Sequence, residues 1–274
     1  MTRGHPDWLL STGNFGYFDA DMSELVARIG GGNVYRRSGR VIYTTGFECD
    51  IDDWVPYDPS AAGAGTNGAA ARWTGESGNA PKRPLRGSAS LKLTPASTGD
   101  GDGIERMSAI KLLPAIWNGN LGYEVELAFH EDATGFVLQL SYDDAGVIRE
   151  AGIMVDLVNA DLLYRSTVGG FELADFTKFA DLPSVGQWQA QAGASLRWAH
   201  LKLIVSSELD KYLAFYLNQH AYDLSAVSIP TGTYGVGAFE RIAVQLVAID
   251  LDGTQGPSYV DDVIVTQDEV SPVT

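Results

Sequence analysis

From Arg40 onward, apolar and polar residues alternate with a period of two, broken at short intervals by Gly, Asn, Asp and Pro. Successive side chains on a strand point to opposite faces, so this pattern predicts half-buried strands joined by tight turns. The clearest runs are Val41–Tyr43, Ala89–Leu93, Tyr123–Phe129, Phe136–Tyr142, Gly152–Leu157, Leu162–Tyr164, His200–Val205, Tyr212–Leu217, Ile242–Val247 and Tyr259–Val265. About a dozen strands in roughly 225 residues suit two packed sheets in a single all-β domain. The segment from Asp58 to Pro84 is rich in small residues and predicts a long loop.

The first forty or so residues carry no sustained alternation and the one convincing helix. Asp21 is placed to cap the amide of Glu24, and Glu24 to return the bond. Met22, Leu25, Val26 and Ile29 then fall on one face before Gly30-Gly31-Gly32 ends the run. Trp8, Leu9, Leu10, Phe15 and Phe18 add apolar bulk to a segment too short to bury it internally. These residues predict an arm that docks on a partner. The expected organisation is a docking arm over 1–45, a β-sandwich over 46–268 and a short tail over 269–274.

Charge and cysteine usage narrow the function. Among 274 residues, 19 are Lys or Arg and 35 are Asp or Glu, a net charge of −16, which argues against a nucleic-acid partner. The single cysteine, Cys49, cannot close an intrachain disulfide. No stretch approaches the ~18 consecutive apolar residues of a membrane helix, and the first residues lack a signal-peptide core. Synthesis in the cytoplasm without use of the general secretion route is therefore expected, with no membrane partner.

Particular landmarks go beyond periodicity. Gly46-Phe47-Glu48 is followed by Trp54; Trp198 to Val205 precedes Tyr212 to Asn218; and the last strand reads Tyr259-Val260-Asp261-Asp262-Val263. Over roughly residues 41–266 this order resembles the concanavalin A-like, laminin G-like jelly rolls. The resemblance implies a jelly-roll sandwich whose final strand lies beside the first. The preceding segment, with His5 to Leu10, the Asp21–Gly30 helix and Val34 to Val41, resembles the leader of tailed-phage virion proteins that carry a jelly-roll head.

Candidate chemistry is sparse. Glu48, Asp50 and Asp52 would share one strand face, as the carboxylates of retaining glycosidases on this fold do. The row ends in Asp52 where those enzymes have Glu, and Pro56 and Pro59 follow closely, so an acidic turn is the better reading. No cofactor is expected apart from one structural calcium, which the resemblance places near the joined termini, with Glu48 and Asp262 as ligands. Alternation sends Asp261 and Asp262 to opposite faces, so at most one of them belongs to such a site. Sugar stacking needs exposed aromatic rings, and Trp54, Trp73 and Trp117 lie in or near expected loops. Trp198 leads into an apolar strand and is expected in the core.

The leading expectation is a non-enzymatic virion structural protein: a capsid decoration or a head- or tail-associated module, held by its arm to the major capsid protein or another virion protein. It would be made in the host cytoplasm and reside in the virion. The arm's apolar stripe predicts a homo-oligomer, and the resemblance suggests a trimer. The alternative is a calcium-stabilised carbohydrate-binding module recognising a surface glycan; a glycoside hydrolase is a third reading.

Overall fold

The computed structural model describes residues 39–47, 51, 54–57, 69–75, 89–95, 105–114, 119–144, 146–169, 172–183, 188, 196–233 and 241–270. The chain divides into two compact units, Met1–Arg36 and Arg37–Thr274, and every described residue belongs to the second. The arm residues Trp8, Leu9, Leu10, Phe15, Phe18, Met22, Leu25, Val26 and Ile29 therefore lie outside the described residues, as do Glu48, Asp50, Asp52 and Trp117.

The second unit is an all-β sandwich of two antiparallel sheets. Sheet A runs β13 (His220–Asp223), β12 (Lys211–Leu217), β11 (Trp198–Ser206), β6 (Asn120–Phe129), β16 (Ser258–Gln267), β4 (Ser90–Thr94) and β3 (Ala69–Trp73). Along one side of β16, β4 pairs with Ser258–Val260 and β1 (Arg40–Thr45) pairs with Val263–Gln267. Sheet B runs β10 (Phe176–Asp181), β9 (Asp161–Arg165), β8 (Val147–Asp156), β7 (Gly135–Asp144), β15 (Arg241–Asp250), β5 (Glu105–Pro114) and β2 (Val55–Tyr57), with β14 (Thr231–Thr233) on β8. The last strand does lie beside the first. Two boundaries differ from expectation: β1 is a sandwich strand although the 45/46 division leaves it with the arm, and β3 forms inside the expected 58–84 loop by pairing with β4.

Alternation fills the space between the sheets. From sheet A, β6 contributes Leu121, Tyr123, Val125, Leu127 and Phe129, and β11 contributes Ala199, Leu201, Leu203 and Val205. From sheet B, β7 contributes Phe136, Leu138, Leu140 and Tyr142, and β15 contributes Ile242, Val244, Leu246 and Ala248. Each large apolar side chain so buried stabilises the fold by about 1.5–3 kcal/mol. In β16 the alternation is re-phased by a bulge at Asp262 (φ 43°), so that Val260, Val263 and Val265 all reach the core. The Tyr212 hydroxyl ties the sheets together: it accepts from the Gly152 amide (3.0 Å) and lies 3.0 Å from the Arg165 carbonyl to which it donates. At one turn the backbones meet closely, because a Cβ on Gly256 would stand 1.9 Å from the Asp132 carbonyl carbon. Thr254 Oγ1 donates to that same carbonyl (2.7 Å), fixing the β15–β16 loop against the β6–β7 turn.

Burial pushes the hydroxyls of Tyr123, Tyr142 and Tyr212 above the ordinary tyrosine value of 10.0. Above that pH the unfolded chain releases protons that the folded chain keeps, so the stability these groups contribute is complete below pH 10 and is lost as pH rises through the folded values. Alkaline titration should therefore give tyrosinate absorbance from these three residues together with loss of β-sheet circular dichroism, in one step. Their gradual ionisation in an intact sandwich would contradict this.

Candidate functional site

The outward positions of two central strands of sheet A carry charge. On β6 they are Asn120, Gly122, Glu124, Glu126 and Ala128; on β11 they are Trp198, His200, Lys202, Ile204 and Ser206. The register sets Trp198 against Ala128, His200 against Glu126 and Lys202 against Glu124. Lys202 thus meets the opposite charge of Glu124 directly across neighbouring strands, with His200 beside Glu126. Lys202 Nζ lies 3.0 Å from Glu124 Oε1 and 2.9 Å from Glu269 Oε1, and Thr266 Oγ1 donates to that same Glu269 oxygen at 2.6 Å. Lys202 and Glu124 are 1% and 0% exposed, so this triad is a buried ionic group rather than a surface pair.

One row along, His200 Nδ1 is 2.9 Å from Glu126 Oε1, and its Nε2 is 3.6 Å from Glu124 Oε2. The His200 amide donates to Asn218 Oδ1 (2.9 Å), and the Asn218 amide returns a bond to the His200 carbonyl (2.8 Å). Asn218 holds φ 52° at the β12–β13 turn, a conformation asparagine tolerates better than most residues. On the other side of β6, Asp261 faces Glu126; its carboxylate accepts from Ser90 Oγ (3.2 Å) and from the Asp262 amide (2.9 Å).

Next to this charged row lies an aromatic cluster. Trp73 and Tyr259 pack with ring centroids 4.4 Å apart, beside Ala128 and Leu196, with half-buried Trp198 against them. Lys92 Nζ sits 5.7 Å from the Tyr259 ring centroid. The Trp73 Nε1 donor is shut off from solvent, and no described residue accepts a hydrogen bond from it.

These positions change the sequence reading of the tryptophans. Trp54 is 3% exposed, packs on Phe47 and Tyr43, and donates from Nε1 to the Tyr43 hydroxyl (2.9 Å), so it is a core residue and not an exposed platform. Trp73 is 7% exposed because its strand pairs with β4 and turns the ring onto Tyr259. Among the described tryptophans, Trp54, Trp73 and Trp188 are buried and Trp198 is not. The ring expected in the core is thus the one that reaches the surface. The signal was present: Trp198, His200 and Lys202 are spaced two apart, and two polar residues mark their shared face as outward. Glu124 and Glu126, spaced two apart within an apolar strand, gave the same sign.

For metal, Asp262 occupies the bulge where β16 passes from β4 to β1, and Glu48 lies outside the described residues. A different set, His130, Glu131 and Asp132 on the β6–β7 turn, brings its ligand atoms within 4.8 Å of one another. The Asp132 side chain is 55% exposed, and a solvated turn of this kind does not by itself define an ion site.

The outer face of sheet B carries a second polar cluster. Arg165 meets Glu150 (2.7 Å), Gln139 (3.1 Å) and the Thr167 carbonyl (3.0 Å), so its guanidinium is engaged within the protein on three sides.

No protein-family model and no curated protein matches the chain. Solved structures resemble it at low identity. The carbohydrate recognition domain of Emp46p in its metal-free form is 11% identical with TM-score 0.46, covering 86% of this chain and 97% of that one. A xylan-binding domain of carbohydrate-binding module family 22 is 17% identical with TM-score 0.38, covering 85% and 98%. The enzymatically active domain of bacteriophage CBA120 tailspike protein 4 is 10% identical with TM-score 0.34, covering 81% of this chain and 20% of that one. The likeness is one of architecture alone, a sandwich of two antiparallel sheets.

Proposed function

We propose that this chain is a carbohydrate-binding sandwich without catalytic activity, and that it takes its sugar on the outer face of sheet A. The observation that carries this reading is the half-buried Trp198 indole on the same face as the His200–Glu126 pair and Lys92. A pyranose offers a C–H face to an aromatic ring and hydroxyls to flanking polar groups, and this arrangement supplies both. Hydrolysis would need two accessible carboxyl groups flanking a glycosidic bond. Glu124 is instead sealed from solvent and held by Lys202, which supports binding over catalysis. The virion reading depends on residues 1–45, nearly all outside the described residues, and no observation on the described residues favours it. Affinity electrophoresis through gels containing neutral plant, fungal and bacterial polysaccharides tests the proposal. At least one should retard the protein relative to a non-binding reference, whereas unchanged mobility across the panel would overturn it.

A further inference from the structure

We infer that the ligand is an extended, unbranched glycan lying along β11 and β12, and that Tyr216 is its second aromatic contact beyond Trp198; this rests on the carbohydrate-binding reading above. The strand register supplies the path. It sets Tyr216 against Lys202 and Leu217 against Leu201, which brings Asn218 level with His200. Phe215 and Leu217 enter the core, so by alternation Tyr216 and Asn218 share the outer face with Trp198 and His200. Unlike the sealed Lys202 and Glu124, each of these four residues keeps part of its surface in solvent. Ala221, which β13 sets against Tyr216, is exposed, and its small side chain leaves the flank of the Tyr216 ring open. A solvent-accessible row thus leads from Trp198 past His200 and Asn218 to Tyr216.

Distance selects the ligand class. Four residues at about 3.3 Å each separate Trp198 from Lys202, and one strand spacing of about 4.8 Å separates Lys202 from Tyr216, so the two aromatic positions are about 14 Å apart. Single bonds near 1.5 Å make one pyranose with its bridging oxygen about 5 Å long, so a single sugar cannot touch both rings and about three in line can. Only a chain whose linkages hold successive rings in line can follow a strand. That condition favours equatorial β-1,4 linkages over the α-1,4 linkages that coil a chain. Each aromatic ring then meets the C–H face of a different sugar. The sugar between them passes Asn218, whose Oδ1 accepts from the His200 amide (2.9 Å) and whose Nδ2 is left to donate to a sugar oxygen.

The test is calorimetric titration of wild-type protein and Tyr216→Ala with cello-, xylo- and manno-oligosaccharides of two and four units, and with malto-oligosaccharides as the coiled contrast. In at least one β-1,4 series the four-unit ligand should bind wild type at least tenfold more tightly than the two-unit ligand, which reaches Trp198 alone. Tyr216→Ala should lose about tenfold on the four-unit ligand, as truncation of an aromatic contact does, and less than about twofold on the two-unit ligand. Equal affinity for the two lengths, or equal affinity of variant and wild type for the longer one, overturns the inference. Tighter binding of the malto series overturns the linkage class. A protein retarded by polysaccharide gels that binds none of the β-1,4 series also overturns the inference and leaves the carbohydrate reading standing; absence of both retardation and binding removes the two together. Should Tyr216→Ala fail to fold, hydroxyl-radical footprinting of wild type carries the test. The four-unit ligand should shield Trp198 and Tyr216 and the two-unit ligand Trp198 alone, and shielding of Trp198 alone by both overturns the inference.

Discussion

Replacing Lys202 by methionine should lower the unfolding free energy by about 3–5 kcal/mol, the usual consequence of removing one partner from a buried ion group. The size follows from what is left behind. Glu124 and Glu269 would remain buried on the outer face of sheet A with their shared cation gone. Thr266 would still donate to Glu269, but one hydroxyl does not replace an ammonium. A midpoint fall on the order of 10 °C is expected for a domain of this size. Replacing Glu124 and Glu269 by glutamine together with Lys202→Met should recover much of the loss, because no charge is then stranded. Denaturant titration of the three proteins checks this. A Lys202→Met variant within about 0.5 kcal/mol of wild type would show that the triad is open to water, against its burial here.

Trp198→Ala should abolish measurable glycan binding, a loss of at least thirtyfold, while leaving the sandwich folded. Aromatic anchors at the centre of a contact commonly account for 2 kcal/mol or more when truncated. The ring is half-buried at the start of β11 and outside the main core, so its removal trims the small cluster of Trp73, Tyr259, Ala128 and Leu196 without opening the space between the sheets. Trp54→Phe makes the contrast. It disturbs the core and the bond to Tyr43, so it should lower stability and leave affinity unchanged. Equal affinities of Trp198→Ala and wild type would place the sugar elsewhere.

Much of the sandwich was legible because one face of each central strand is wholly apolar. Tyr123–Phe129 and Phe136–Tyr142 lie within β6 and β7, and Tyr212–Leu217 within β12. The strands that escaped notice lack that signal. β3 is Ala69-Ala70-Ala71-Arg72-Trp73, with no β-branched residue and no clear alternation, and it is a strand only because β4 offers it an edge. In β5, Ile110, Lys111, Leu112 and Leu113 blur the period, since Leu112 is exposed and Lys111 lies on the core side with its Nζ over the Tyr43 ring.

The candidate site was less legible, for a physical reason. Whether a tryptophan is exposed depends on which distant strand covers it, and the pairing of β4 with both β3 and β16, which sets Trp73 on Tyr259, spans nearly two hundred residues. Charge complementarity was readable in principle. Glu124 and Glu126 on one strand match Lys202 and His200 on another at the same spacing, and antiparallel pairing sets Lys202 on Glu124 and His200 on Glu126.

Hydroxyl-radical footprinting with and without a retained neutral glycan tests the central claim most directly, because it reports which side chains the ligand shields. The account predicts protection of Trp198, with His200 following in step with saturation, and unchanged labelling of the exposed Leu112 on β5 of sheet B and of Leu173. Protection confined to sheet B, or to neither sheet at saturating glycan, would contradict it.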